Sequence, residues 1–298
     1  MKRLLRILSA FVAVMVIVTG CNNDNVTYSG PDYVMFADSL QTIAVQDGET
    51  YYDIPVSATT VCDYDRTYSV EVIDKGSNAI EGLHYDLESN NVTIEAGKLT
   101  SSVKIRGHFD SFEDADSIGV MLRLTASDDK IWDLYGRDTK VVLVKVCPFD
   151  INKFVGHAVL TSTFFAEYMP TTQLRLLKTE LDPEVENGII LKDFLYDGYD
   201  IKVKFNTEKP LEPKLEMESD QVVCTTADAF QGNAFENSDN LVRAMQPQSV
   251  VSYYNVCQNF FLQYMTFYVN NVGTVGTYAN VVEWISEEEY NYLKKQGY

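Results

Sequence analysis

The groups able to do chemistry in this 298-residue chain are mostly carboxylates and aromatic rings. Of its 43 acidic residues, Asp110, Glu113, Asp114 and Asp116 fall in one short stretch, with Asp128 and Asp129 a little further on. Calcium takes about six to eight oxygen ligands and can draw them from two neighbouring loops, so it is the metal this set would suit. The spacing lacks the D-x-[DN]-x-[DN]-G order of a self-contained calcium loop. The same run also fits a solvated acidic turn that keeps edge strands from pairing with other chains. The second constellation is Lys130-Ile131-Trp132-Asp133-Leu134-Tyr135-Gly136-Arg137-Asp138. A flat ring offers contacts to the C–H face of a sugar, and flanking carboxylates and guanidinium groups bond its hydroxyls. Trp132, Tyr135 and Arg137 are therefore candidate glycan-binding residues on a strand-connecting loop, where binding groups are most often presented. The alternative for two large aromatics there is a plug over the end of a core.

Catalytic strings are missing. The chain has three histidines, His84, His108 and His157, and no H-E-x-x-H, G-x-S-x-G or P-loop sequence, which removes the usual parts of zinc hydrolases, serine hydrolases and nucleotide-binding enzymes. The expectation is a non-enzyme. The competing reading is a glycoside-active enzyme, because a carboxylate pair about 5 to 9 Å apart suffices and leaves no sequence signature. Cys62, Cys147, Cys224 and Cys257 show no C-x-x-C pairing and hence no zinc signature. In an exported protein they allow two bridges in three connectivities, and buried free thiols fit equally well.

The N-terminus places the protein. A basic start, Met1 to Arg6, precedes an apolar run from Ile7 to Val18, too short for the roughly 20 residues of a transmembrane helix and typical of a cleaved export signal. It ends in Val18-Thr19-Gly20-Cys21, which resembles a bacterial lipobox, so residues 1–20 read as a lipoprotein signal peptide and Cys21 as the lipidated mature N-terminus. Residues 21–32 are polar and read as a flexible tether. Three of the 24 basic residues leave with the signal against 43 acidic ones that stay, giving a mature net charge near −22. Phosphate backbones would repel such a chain, so nucleic acid is not a partner.

The elements that must position these groups are strands. Val70 and Val72 alternate with Ser69 and Glu71, Val103 and Ile105 with Lys104 and Arg106, and Val120, Leu122 and Leu124 with Met121 and Arg123, the period of half-buried strands. Seven or eight such runs predict a β-sandwich over residues 33–148. Pro148 ends that region. Residues 149–298 predict a second antiparallel β-sandwich or barrel-like domain, with strands at Gly156–Phe165, Gln173–Lys178, Gly188–Lys192, Ile201–Phe205, Lys214–Met217, Phe260–Val269 and Tyr278–Trp284. Thr225–Ser249 reads as a long loop with room for a helical turn, and Ser286–Gly297 as a terminal helical turn because Glu287 to Glu289 precede Lys294 and Lys295 in the order that suits a helix dipole.

Two resemblances follow. Ala79-Ile80-Glu81-Gly82-Leu83-His84-Tyr85-Asp86, then Val92 to Gly97 and Val103-Lys104-Ile105, resemble the centre of a Calx-beta-like, immunoglobulin-like sandwich. That resemblance implies an all-β fold and a family able to hold calcium at a sandwich end. Phe154-Val155-Gly156 with Thr161-Ser162-Thr163, Ile190 to Ile201, and Tyr268 to Gly273 are similar to the C-terminal β-domains of Bacteroidetes-type outer-membrane lipoproteins of uncharacterised function. That resemblance implies a surface-exposed lipoprotein near a glycan-uptake system, binding a polysaccharide or a protein of the uptake complex, with a purely structural spacer as a further alternative. Asn22-Asn23-Asp24-Asn25 after Cys21 is less acidic than surface export would favour, which leaves periplasmic attachment open.

Overall fold

The computed structural model of the chain describes residues 28–48, 50–113, 117–132 and 136–298. The expected signal peptide, residues 1–20, and the expected lipidation site Cys21 lie outside the described residues. The first body contains β1 (Val34–Phe36), β2 (Leu40–Val45), β3 (Tyr52–Ala58), β4 (Arg66–Ile73), β5 (Tyr85–Leu87), β6 (Asn91–Ile94), β7 (Thr100–Gly107), β8 (Ser117–Thr125) and β9 (Asp138–Lys145). They form two sheets, β1-β3-β7-β5 and β2-β9-β8-β4-β6. The alternation read from the sequence is the inward face of this sandwich: Val103, Ile105, Val120, Leu122 and Leu124 are all buried between the sheets. Each such side chain stabilises the fold by roughly 1.5–3 kcal/mol relative to exposure. One pairing departs from the antiparallel pattern. β2 lies parallel to β9, from Leu40 opposite Lys140 to Val45 opposite Lys145.

The second body is a barrel. Its strands are β10 (Gly156–Ser162), β11 (Arg175–Leu181), β12 (Gly188–Lys192), β13 (Ile201–Asn206), β14 (Lys214–Glu216), β15 (Gln221–Thr225), β16 (Leu241–Met245), β17 (Tyr253–Asn255), β18 (Phe260–Val269) and β19 (Gly273–Trp284). The helices are α1 (Thr163–Tyr168), α2 (Thr226–Ala229) and α3 (Glu287–Lys295). Neighbours pair antiparallel, and β19 pairs with both β18 and β10, so the sheet closes on itself. β14 with β15, and β16 with β17, act as two broken strands. Two glutamines bridge the breaks. The Gln221 carboxamide accepts from Lys202 N at 2.7 Å and donates to Lys202 O at 2.9 Å. The Gln246 carboxamide accepts from Met217 N and donates to Leu215 O, both at 2.9 Å. Counted this way the barrel has about eight staves, a size whose interior side chains can fill. Phe154, Phe205, Tyr254 and Trp284 pack edge to face at one end. Phe164, Tyr168, Phe267 and Tyr278 do so at the other.

The fold class is all-β as expected, and the second body is the barrel rather than the sandwich. Three local expectations change. The strand beginning at Gly156 stops at Ser162, whose hydroxyl accepts from Phe164 N at 3.1 Å and starts α1, turning Phe164 and Phe165 inward. The stretch Thr225–Ser249 contains the short helix α2 and also the strand β16. Cys147 and Cys257 form a disulfide with a Cα–Cα distance of 5.4 Å, while Cys62 and Cys224 are free thiols. No helix among the described residues is long and apolar enough to cross a membrane.

Candidate functional site

One end of the sandwich gathers the chemistry. Val34 bridges Ile131, and this pairing sets Trp132 beside Tyr33. Their rings stack with centroids 6.0 Å apart and planes 10° apart, and Trp132 keeps 38% exposure. Tyr33 is held by its own backbone: its N–H donates to the Thr59 hydroxyl at 2.8 Å, and its carbonyl accepts from Thr59 N at 2.9 Å.

Next to the rings sits a charged network. Asp32 Oδ1 accepts from the Thr60 hydroxyl at 2.7 Å and from Arg66 Nη1 at 2.8 Å, and Oδ2 accepts from Lys130 Nζ at 3.2 Å. Arg66, with 4% of its side chain exposed, also donates from Nη2 to Lys98 O at 3.0 Å. Burial alone would raise the Asp32 carboxyl, but the bonds from Thr60 and Lys130 and the charge of Arg66 outweigh it and hold the group below the usual aspartate value. The hydrogen bond to Asp32 pushes the Lys130 ammonium up. Asp32 and Lys130 are therefore both charged at neutral pH. The loop carrying Cys62 docks against residues 95–99 through Gly97 N, which donates to Cys62 O at 2.8 Å. This brings exposed Val61, Tyr64 and Leu99 to the same end. A fixed ring beside fixed donors and acceptors can recognise a hydroxylated ligand by stacking and by directed hydrogen bonds.

Of the residues expected from sequence, Trp132 is in this site. Arg137 lies just before β9, where its carbonyl accepts from Leu124 N at 2.8 Å and its Nε is buried without a hydrogen-bond partner among the described residues; Tyr135 lies outside the described residues. Among the calcium candidates, Asp110 and Glu113 are exposed, and Asp114 and Asp116 lie outside the described residues. Among the described residues, no group of three or more His, Cys, Asp or Glu side chains could hold a metal. Sequence reading missed Asp32, Tyr33 and Arg66, and named Lys130 only as part of the run around Trp132. It assigned Asp32 to the tether, whereas three side chains hold it in the site. The available signal was Asp32-Tyr33 standing directly before the first alternating strand.

The family described as Domain of unknown function (DUF4984) matches residues 134–296. Among solved structures, the chain is similar to a protein of unknown function from Bacteroides ovatus, at 12% identity, 84% coverage of this chain and 89% of that one, with a TM-score of 0.34. A putative carbohydrate binding protein from Bacteroides ovatus gives 12% identity, 82% and 69% coverage and a TM-score of 0.33. The apo form of the Calx CBD1 domain gives 14%, 39% and 98%, and 0.32. These likenesses, all with TM-scores below 0.5, carry no argument about what this chain binds. No curated protein matches it.

Proposed function

The chain belongs to the DUF4984 family of domains of unknown function, and we propose that the protein is a non-catalytic, lipid-anchored binding protein of the cell envelope that holds a glycan at the exposed end of its sandwich. The supporting observation is Trp132, exposed yet fixed by stacking on Tyr33 beside the charged Asp32, Arg66 and Lys130 network. Fixing the ring before the ligand arrives lowers the ordering cost of binding.

The test is binding of the unlipidated chain from residue 22 to a panel of soluble polysaccharides by affinity electrophoresis. Retardation by at least one polysaccharide, weakened tenfold or more in Trp132→Ala, is the expected result. No retardation by any polysaccharide, or an unchanged Trp132→Ala, would sink the reading. Envelope attachment through Cys21 is part of the same proposal, as is a place beside an outer-membrane glycan-uptake complex. Labelled palmitate should enter the wild-type protein in cells and not the Cys21→Ala variant; a wild-type protein that stays unlabelled overturns the anchor.

A further inference from the structure

The Trp132 site lies at the end of the sandwich that faces away from the barrel. β9 runs from Asp138, which follows the Trp132 loop, to Lys145 and leaves for the barrel through Val146, whose N–H donates to Val45 O at 2.9 Å. At that second end Gln46, Ser117 and Val144 line a cleft against Pro213, Tyr254 and Val256 of the barrel. β8 runs back along β9, with Ser117 opposite Val144 and Arg123 opposite Asp138. The length of β8, nine residues spanning roughly 26–30 Å, therefore separates the stacked Tyr33 and Trp132 rings from the barrel.

The chain enters the sandwich at the Trp132 end. The hydroxyls of Tyr28 and Thr59 both donate to Pro31 O, at 3.1 and 2.8 Å, and Asp32 is held by Thr60, Arg66 and Lys130. Cys21 stands seven residues before Tyr28, a stretch that covalent geometry limits to about 25 Å. A lipid on Cys21 thus keeps Tyr28 within about 25 Å of its membrane, with the barrel on the outer side of the sandwich. Charge decides what this end can meet there. Asp63, Asp65, Glu95, Asp128 and Asp129 are exposed around the site and outnumber Lys98 and Lys130, so anionic lipid head groups repel it. An uncharged saccharide standing above the lipids carries no such penalty. Confinement to the same membrane also raises its effective concentration at the site, which suits a site built around one exposed ring.

We propose that the Trp132 end faces the membrane and that the glycan it takes is the uncharged saccharide head of a glycolipid in that membrane. This rests on the glycan reading of Trp132 and on the anchor at Cys21, and it adds where the glycan is carried.

The experiment has two arms. In the first, the lipidated protein is reconstituted in phosphatidylcholine vesicles that contain a dansyl head-group lipid as acceptor for tryptophan emission. Trp132→Phe leaves Trp284 as the one tryptophan, on the barrel against Phe154. The expected result is energy transfer in the wild type that falls at least threefold in Trp132→Phe; equal transfer in the two overturns the orientation. In the second, the unlipidated chain from residue 22 is floated with vesicles of phosphatidylcholine alone, with added digalactosyldiacylglycerol, or with added phosphatidylglycerol. Flotation with the glycolipid vesicles alone, weakened at least tenfold in Trp132→Ala, is expected. Equal flotation with either of the other two vesicles overturns the proposal in favour of a lipid surface. No flotation with glycolipid vesicles, while a soluble polysaccharide still retards the protein, overturns the membrane-borne ligand and leaves the glycan reading standing; failure of both removes that reading as well.

Discussion

A guanidinium with 4% of its side chain exposed needs its counter-charge, and for Arg66 that is Asp32. Removing one partner of a buried pair leaves an uncompensated charge, so Asp32→Asn should destabilise the sandwich by about 3–5 kcal/mol, read as a lower urea midpoint. The pH dependence follows from the same contact. Because the folded Asp32 carboxyl lies below its unfolded value, the stability it contributes is complete above about pH 5 and is lost as pH falls through the folded value. An acid titration followed by circular dichroism should therefore show a shallower loss for Asp32→Asn than for wild type below about pH 4; parallel curves would contradict it. The free thiols also divide. Burial pushes the Cys224 thiol up to about 12, whereas Cys62 is only half-buried. Iodoacetamide on the native protein should alkylate Cys62 and leave Cys224 unmodified, as peptide mass mapping would show. Trp132 was legible in the sequence because an aromatic beside Asp and Arg between two strands is a local pattern. Its supports were not, since Arg66 and Lys130 reach Asp32 across 34 and 98 residues, a distance that only the folded sandwich closes.

Strands were legible where one face is buried along an unbroken run, as in β12, whose ends match the sequence reading residue for residue. They were not legible where the barrel wall breaks. β15 carries a register shift between Val222 and Cys224, and β17 has three residues. β16 offers only Val242 and Ala244 as fully buried positions. At those breaks Gln221 and Gln246 do the bonding that a backbone would otherwise do, and a glutamine in a polar stretch carries no periodic signal. The same geometry gives a prediction for the wall. Gln246→Leu removes two hydrogen bonds and leaves Met217 N and Leu215 O without their partners, which should cost about 1–3 kcal/mol. Native-state hydrogen exchange should speed up at the Met217 amide while that of Phe261 on β18 changes little. If the Met217 amide exchanges at the wild-type rate, the carboxamide is not a structural partner there.

The two bodies have separate cores, one drawn from residues between Val34 and Leu143 and the other from residues between Phe154 and Val282. The Cys147–Cys257 bridge joins the segment that follows β9 to the turn before β18, across a separation of 110 residues. Nearly all of the chain it encloses belongs to the barrel, so in the chain-entropy picture its effect falls on the barrel's unfolded state and not on the sandwich. A native bridge of this span typically contributes about 2–5 kcal/mol. In the chain from residue 22, thiol titration in denaturant without reductant should find two thiols, Cys62 and Cys224, and four after reduction. Calorimetry of the double variant Cys147→Ser, Cys257→Ser should then show one transition moved down by several degrees, the barrel's, and the other left in place. A single transition that shifts as a whole would mean that the sandwich and the barrel unfold as one unit, and the separate cores would then not be separate in energy.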